Sequence, residues 1–168
     1  MNRNLKSSEW MGGIFTCVVG TLFHFLYEFS GNSPLIALIA PVSESTWEHL
    51  KMLVFPMILY TLIQYFRVGK KYSNFMLGRF IGMLAGMLTI TAAFYTYSGI
   101  IGTNYLVCDI LTFILGVFAA YFIAYKITGI KKPLRPGRTC AVFLIVLLAI
   151  TFMIFTFYPP SIPLFLAP

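Results

Sequence analysis

The chain has 168 residues, of which 59% are hydrophobic and only 10% are charged, and its mean hydropathy is +0.85. Soluble domains carry about 25% charged residues, so a chain this poor in charge cannot cover itself with polar surface, and its solvent must be lipid. The formal charge of +7 does not indicate nucleic acid, because the basic residues form short clusters between apolar runs instead of interleaving with stacking aromatics.

Five apolar runs are long enough to cross a bilayer, which takes roughly 20 residues per span. We expect one all-α transmembrane domain over residues 1–168, with helices at about residues 11–29, 44–66, 75–98, 105–125 and 139–158. Turn residues at 30–34 end the first helix. The apolar residues 35–40 are too few to span, so they are expected to form a re-entrant or interfacial segment.

The distribution of basic residues predicts the orientation. Of the 12 Lys and Arg residues, 11 lie in the leader before the first helix or in and beside the loops after the second and fourth helices. Lys51 is the exception. Because basic loops stay in the cytoplasm, we expect a protein of the cytoplasmic membrane with its amino terminus inside and its carboxyl terminus outside.

We next set aside these 11 basic residues and also Glu9, which is expected beside the cytoplasmic end of the first helix. Seven His, Asp, Glu and Lys residues then remain. All seven belong to the outer ends of their helices: His24, Glu28, Glu44, Glu48, His49, Lys51 and Asp109. A charge that faces lipid is costly, so these groups must face each other or water. The sequence therefore predicts one polar site that opens outward and is built from three helices.

Spacing gives some of these residues a structural explanation as well. Ser45-x-x-Glu48 matches a capping box, so Glu48 is expected either to satisfy a helix start or to serve the site. Glu44 is spaced i, i+4 from Glu48, which places both on one helix face. Lys51 is expected to be the charge partner of one of these two glutamates. His49 is expected to point elsewhere on the helix, toward the headgroups.

His24 and Asp109 are the stronger functional candidates. Each lies within a span without capping a helix, and ionisable groups at such a depth mark functional sites by default. His24 is also spaced i, i+4 from Glu28, so that the two share a helix face. Tyr27 and Trp47 lie at the same level, where an aromatic belt at the membrane interface also explains them.

Two kinds of chemistry fit this set of residues. The first is an intramembrane acid–base enzyme, or a binder, for a lipid-like or isoprenoid ligand. Its catalytic candidates are His24, Glu28, Glu48 and Asp109. Its ligand-binding candidates are Tyr27, Glu44, Trp47, His49 and Lys51. The second is a divalent metal site, which the sequence permits without requiring any cofactor. Its candidate ligands are His24, Glu28, Glu44 and Glu48.

A stripe of small residues on the third predicted helix bears on partners. Gly78, Gly82 and Gly86 lie four residues apart, which lets another backbone approach closely, either within the bundle or across a homo-oligomer. A further alternative is a subunit of an ion-coupled carrier. Five spans are few for a carrier, so such a protein would need an oligomer or a partner. Another alternative is a membrane scaffold whose polar groups only hold helices together.

Residues 40–51 (APVSESTWEHLK) resemble the signature of an uncharacterised family of small bacterial multi-pass membrane proteins. Residues 23–28 (FHFLYE) and 157–160 (FYPP) resemble the same family. The resemblance covers nearly the whole chain and implies a bacterial source, but no activity. The five spans, with His24 and Glu28 on one helix and Glu44 or Glu48 on a later one, are also similar in outline to emopamil-binding-type sterol isomerases.

Overall fold

The structure, a computed structural model, describes residues 3–167, so residues 1, 2 and 168 of the expected domain lie outside it. Over this range the chain is all helical. Its six α-helices are α1 (Arg3–Phe29), α2 (Pro34–Ala37), α3 (Thr46–Arg67), α4 (Phe75–Ile101), α5 (Leu106–Thr128) and α6 (Arg138–Phe157). Short 3₁₀ turns lie at Gly69–Lys71 and Pro163–Phe165. Every helix except α2 is long and apolar enough to cross a membrane, which confirms the prediction of five such helices.

The long helices alternate in direction, so their ends collect at two ends of the bundle. At one end, Asn74 before α4 donates its side-chain N–H to the carbonyl of Lys132 after α5, at 2.9 Å. At the other end, Thr156 of α6 donates to the carboxylate of Glu48 in α3, at 3.2 Å. We call the first the basic end, because α1, α4 and α6 begin there beside the Lys- and Arg-rich loops, and the second the distal end.

Helix α1 begins at Arg3, well before the expected start near residue 11, because its first turns pack into the bundle. Leu5, Glu9, Gly12 and Thr16 are buried at helical spacing, which places them on one face. The polar leader is therefore part of the first helix.

The glycine stripe of α4 packs against α5. A Cβ atom on Gly82 would lie 2.5 Å from the carbonyl oxygen of Ala120, and one on Gly78 would lie 2.8 Å from that of Ala124. Such separations exclude any side chain at these positions, so the two backbones are in direct contact. The sequence allows the stripe to pack either within the bundle or across a homo-oligomer, and these contacts with α5 are packing within the bundle. The homo-oligomer through Gly86 and its neighbours stays a prediction.

Helix α3 is the most buried of the five long helices. Pro56 lies within it and has no N–H to donate to the carbonyl of Met52, four residues earlier. That carbonyl faces Gly20 of α1, where a side chain would collide with it. The proline and the glycine together bring the two helices close below the distal end, which is where the candidate site begins.

A candidate metal centre at the distal end

The segment between α1 and α3 is folded by local turn chemistry. Gly31 and Asn32 follow α1 with positive φ angles of 69° and 61°, which reverse the chain direction. Ser45 then caps α3, and its hydroxyl accepts a hydrogen bond from the backbone N–H of Glu48 at 3.3 Å. This is the Ser45 half of the predicted capping box. The carboxylate of Glu48 is engaged elsewhere.

Glu48 and Lys51 form a buried ion pair that fixes the path of this segment. The ammonium of Lys51 is 0% exposed and lies 2.8 Å from Oε2 of Glu48. It also donates to the carbonyls of Ala37 and Ala40, at 2.8 and 3.2 Å. The same Oε2 atom accepts from the backbone N–H of Val42 at 2.9 Å. Of the two partners that the sequence left open for Lys51, the structure selects Glu48.

Each of the three hydrogens of the Lys51 ammonium has a hydrogen-bond acceptor. An ammonium group has three donors, and Lys51 directs one to Glu48 and two to backbone carbonyls. The second carboxylate oxygen of Glu48 accepts from Thr156, which connects α3 to α6. The pair therefore holds backbone and helices in place, and it leaves no free proton on Lys51 for a ligand.

His24 of α1, Glu44 of the connecting segment and His49 of α3 meet at the distal surface. Nε2 of His24 lies 4.0 Å from Oε1 of Glu44, and Nε2 of His49 lies 3.4 Å from Oε2 of the same carboxylate. The two imidazole rings stack with their centroids 5.3 Å apart. The turn before α3 brings Glu44 over the His49 face of the helix. The expectation that His49 points toward the headgroups stays a prediction.

Hydrogen bonding decides which nitrogen of His49 keeps a lone pair. Nδ1 of His49 lies 3.0 Å from the carbonyl oxygen of Ser45, which can only accept, so this nitrogen carries a proton. In the neutral ring Nε2 then has the lone pair, and it lies 3.4 Å from Oε2 of Glu44. A cation between these two atoms would be attracted by both. His24 stacks on the same ring, so protonating both imidazoles places two like charges together.

The three donors fit a divalent cation. One ligand atom from each of His24, Glu44 and His49 lies within 4.8 Å of the others. Two ligands at about 2.0–2.1 Å from a tetrahedral zinc ion lie roughly 3.4 Å apart. The His49–Glu44 separation already has this value. The Glu44 side chain is 70% exposed, so it has room to move toward His24. Three protein ligands leave a further coordination position open.

Two of the remaining site candidates lie apart from this cluster. Asp109 accepts from the hydroxyl of Tyr97 and, at 3.4 Å, from the side-chain amide of Asn104. These contacts belong to the α4–α5 hairpin, and the structure does not join them to His24. Glu28 is exposed, and among residues 3–167 it forms no ion pair. The single site of seven groups expected from the sequence is thus divided between separate contacts.

The aromatic candidates differ in environment. Trp47 is 8% exposed and stacks on Phe152 with ring centroids 4.4 Å apart. Phe165, from the 3₁₀ turn near the end of the chain, lies against the same indole with its centroid at 4.8 Å. Tyr27 is half-buried at the end of α1. Trp47 therefore fills a packed aromatic cluster beneath the surface that holds Glu44.

A protein-family model described as a family of unknown function (DUF6512) matches residues 1–167. The chain belongs to this family. No curated protein and no solved structure matches it. Membership of DUF6512 agrees with the expected resemblance to an uncharacterised family, and it assigns no activity to the cluster of His24, Glu44 and His49.

This DUF6512 chain also buries a polar cluster near its basic end, which the sequence analysis missed. Nη2 of Arg79 lies 2.6 and 2.7 Å from the two carboxylate oxygens of Glu9, and it also donates to the amide oxygen of Gln64. Arg79 is 0% exposed, and its guanidinium lies 5.1 Å from the centroid of the Tyr121 ring. Glu9 and Arg79 therefore lie near the expected end of the bundle, but they are buried between the helices and paired with each other.

A signal for this cluster exists in the sequence. Glu9 shares a helical spacing with the small residues Gly12 and Thr16, and Arg79 lies three residues before Gly82 of the glycine stripe. Small residues mark helix faces that touch another helix in membranes. A charge on such a face is expected to be paired inside the bundle.

Proposed function

We propose that the protein binds a divalent transition metal at its distal end through His24, Glu44 and His49. The observation that carries the proposal is the convergence of two imidazole nitrogens and a carboxylate from α1, the connecting segment and α3. Imidazole and carboxylate ligands suit zinc, copper, iron and nickel, and zinc is the metal most often held by such a set with a free position.

The proposal includes the orientation of the bundle. The basic end carries the Lys- and Arg-rich loops, which remain in the cytoplasm. The distal end then faces outward, and the metal comes from outside the cytoplasmic membrane of a bacterial cell. The backbone carbonyl of Ser45 supports the site from behind, because it fixes the proton of His49 on Nδ1 and leaves Nε2 for the metal.

A metal with an open position supplies a Lewis acid and an activated water, or a binding point for a ligand. The protein side chains hold and orient it. Glu44 lies toward the solvent, and the Glu48–Lys51 pair fixes the segment that carries Glu44. Trp47 and its aromatic neighbours exclude water below the site.

A metal-free acid–base site is the second candidate. It is favoured by Nδ1 of His24, which is buried and has no hydrogen-bond partner in the part of the chain that the structure describes. In a neutral His24 whose proton is on Nε2, Nδ1 can accept a proton from a ligand while Nε2 releases its own proton toward Glu44. The catalytic roles of Glu28, Glu48 and Asp109 stay predictions, as does the lipid-like or isoprenoid nature of the ligand.

The test is the metal content of the purified protein. We expect about one equivalent of zinc or another divalent metal per chain when the protein is extracted gently, through a tag without histidine. Replacing one ligand of a three-ligand site removes most of its affinity, so His24→Ala and His49→Ala should each bring the metal to background. Because a metal ion binds only the deprotonated imidazole, acidifying the buffer should also release the metal.

Glu28→Gln is the matched control, because it removes an exposed carboxylate one turn above His24. It should retain the metal. Equal metal in the wild type and both histidine variants would exclude this cluster as the site. A wild type without metal, before and after incubation with zinc, would leave the acid–base candidate in its place.

A further inference from the structure

A groove runs along the lipid-facing side of the bundle between α1 and α5, far from the distal end. Its volume is about 560 Å³, and it extends along α1 from Lys6 to Val18. At about 1.5 Å per residue this is roughly 18 Å, more than half of a bilayer's hydrocarbon core. The volume lies within the range of about 300–1,000 Å³ typical of ligand sites.

The walls of the groove are apolar over most of this length. Ile14 and Val18 line it from α1, and Val117 and Phe118 line it from α5. Ile14, Val18 and Phe118 are themselves more than half exposed, so this surface is open to lipid. An occupant must therefore be a molecule with a long apolar part that enters sideways from the membrane.

Positive charge lies at only one end of the groove. Lys6 and Lys126 are both exposed and line it at the basic end, where α1 begins and α5 ends. The ammonium of Lys126 lies 5.2 Å from the centroid of the Phe122 ring, at the edge of the apolar wall. Glu9 also lines the groove, but both of its oxygens are bound by Arg79. The local charge that an incoming group meets is therefore positive.

We propose that this groove binds an anionic phospholipid from the leaflet next to the basic end. Its acyl chain lies along the apolar walls of α1 and α5, and its phosphate headgroup lies between Lys6 and Lys126. Charge complementarity carries the assignment, because basic residues at the edge of an interhelical pocket bind anionic headgroups. The site is separate from the cluster of His24, Glu44 and His49 and does not depend on it.

Trp10 provides a direct reporter. It lines the groove and is 59% exposed, whereas Trp47, the other tryptophan, is 8% exposed in its aromatic cluster. In the Trp47→Phe variant, Trp10 at the groove is the one remaining tryptophan. This variant is reconstituted in vesicles of phosphatidylcholine. Quenching is compared for phosphatidylglycerol and phosphatidylcholine that carry the same brominated acyl chain, at equal mole fraction.

We expect brominated phosphatidylglycerol to quench Trp10 with an apparent affinity roughly tenfold higher than that of brominated phosphatidylcholine, from the attraction of two lysines. Lys6→Gln combined with Lys126→Gln should bring the ratio close to one. The matched control combines Lys70→Gln with Lys71→Gln, which removes two exposed lysines from the same end of the bundle but outside the groove. It should keep the ratio.

Three outcomes would overturn the proposal. A ratio near one in the parent protein would show that the groove does not distinguish headgroups. An equal loss in both double variants would show only a diffuse attraction between the basic end and anionic lipid. Absence of quenching by either lipid would show that another chain covers Trp10. If Trp47→Phe fails to fold, the native chain serves for the same comparison, with Trp10→Phe giving the background from Trp47.

Discussion

Single residues in this bundle are placed by the requirement that a buried charge has a partner. Glu9 is 5% exposed and Arg79 is 0% exposed, and the two contact each other. Glu48 and Lys51 meet the same requirement near the distal end. The cost of removing one partner from such a pair exceeds the net value of the pair, because it leaves an uncompensated charge in a low-dielectric interior.

Glu9→Gln is therefore expected to destabilise the protein by about 3–5 kcal/mol. The amide keeps the shape of the side chain but leaves the guanidinium of Arg79 without a counter-charge. The measurement is the free energy of unfolding in mixed micelles. Combining Glu9→Gln with Arg79→Met should recover much of the loss. A single variant as stable as the wild type would show that Arg79 finds another partner or water.

At the scale of helices, small residues decide which faces meet. Gly82 of α4 lies against the carbonyl of Ala120, and Gly12 of α1 lies against the rings of Tyr60 and Tyr121. At each of these glycines, the backbone or an aromatic ring of a neighbouring helix occupies the space that a larger side chain would fill. A larger side chain would therefore keep the helices apart. Because these contacts bring the helices close together, polar side chains on neighbouring helices come within hydrogen-bonding distance.

Gly82→Ala is expected to destabilise the α4–α5 pair by about 1–3 kcal/mol, the usual cost of overpacking. Its Cβ atom would lie 2.5 Å from the Ala120 carbonyl oxygen, and backbone cannot move aside as a side chain can. Gly99→Ala in the same helix is the control, since nothing lies within 4 Å of its Cβ position. Thermal unfolding should rank Gly82→Ala below the wild type and Gly99→Ala at or above it. Equal midpoints would mean that the two helices separate easily.

The helices and their polar ends were predictable from the sequence to different degrees. Length and hydrophobicity are local properties, so the five spanning helices could be predicted. The meeting of His24 with Glu44 depends on the path of the connecting segment, which Lys51 fixes through the carbonyls of Ala37 and Ala40. The spacing of residues in the sequence does not predict the course of this segment. Asp109 differs again, because it lies near the start of α5 as expected but accepts a hydrogen bond from Tyr97 within its own hairpin.

For the whole molecule, the two ends of the bundle differ in charge. The basic end carries the loops with Lys70, Lys71, Lys131 and Lys132, whereas the loop at residues 102–105 between α4 and α5 has no charged residue. This asymmetry sets the expected orientation, with the basic end in the cytoplasm.

Cysteine labelling in intact cells tests this orientation. In a chain whose three cysteines (Cys17, Cys108 and Cys140) are replaced by alanine, Thr103→Cys should react with a membrane-impermeant maleimide from outside. Ser73→Cys should react only after the cells are permeabilised. Both positions are exposed in the folded protein, so neither is hidden by packing. The reverse pattern would place the cluster of His24, Glu44 and His49 at the cytoplasmic side, and the proposed metal would then have to come from inside the cell.

The burial of α3 has a consequence for biosynthesis. It is the least apolar of the five long helices and yet the most enclosed. The partners of Gln64 come from α1, made earlier, and from α4, made later. One oxygen of Glu48 gains its partner only after Thr156 of α6 has been synthesised. A ribosome-bound chain thus carries incompletely satisfied polar groups in α3 until both α4 and α6 have been made.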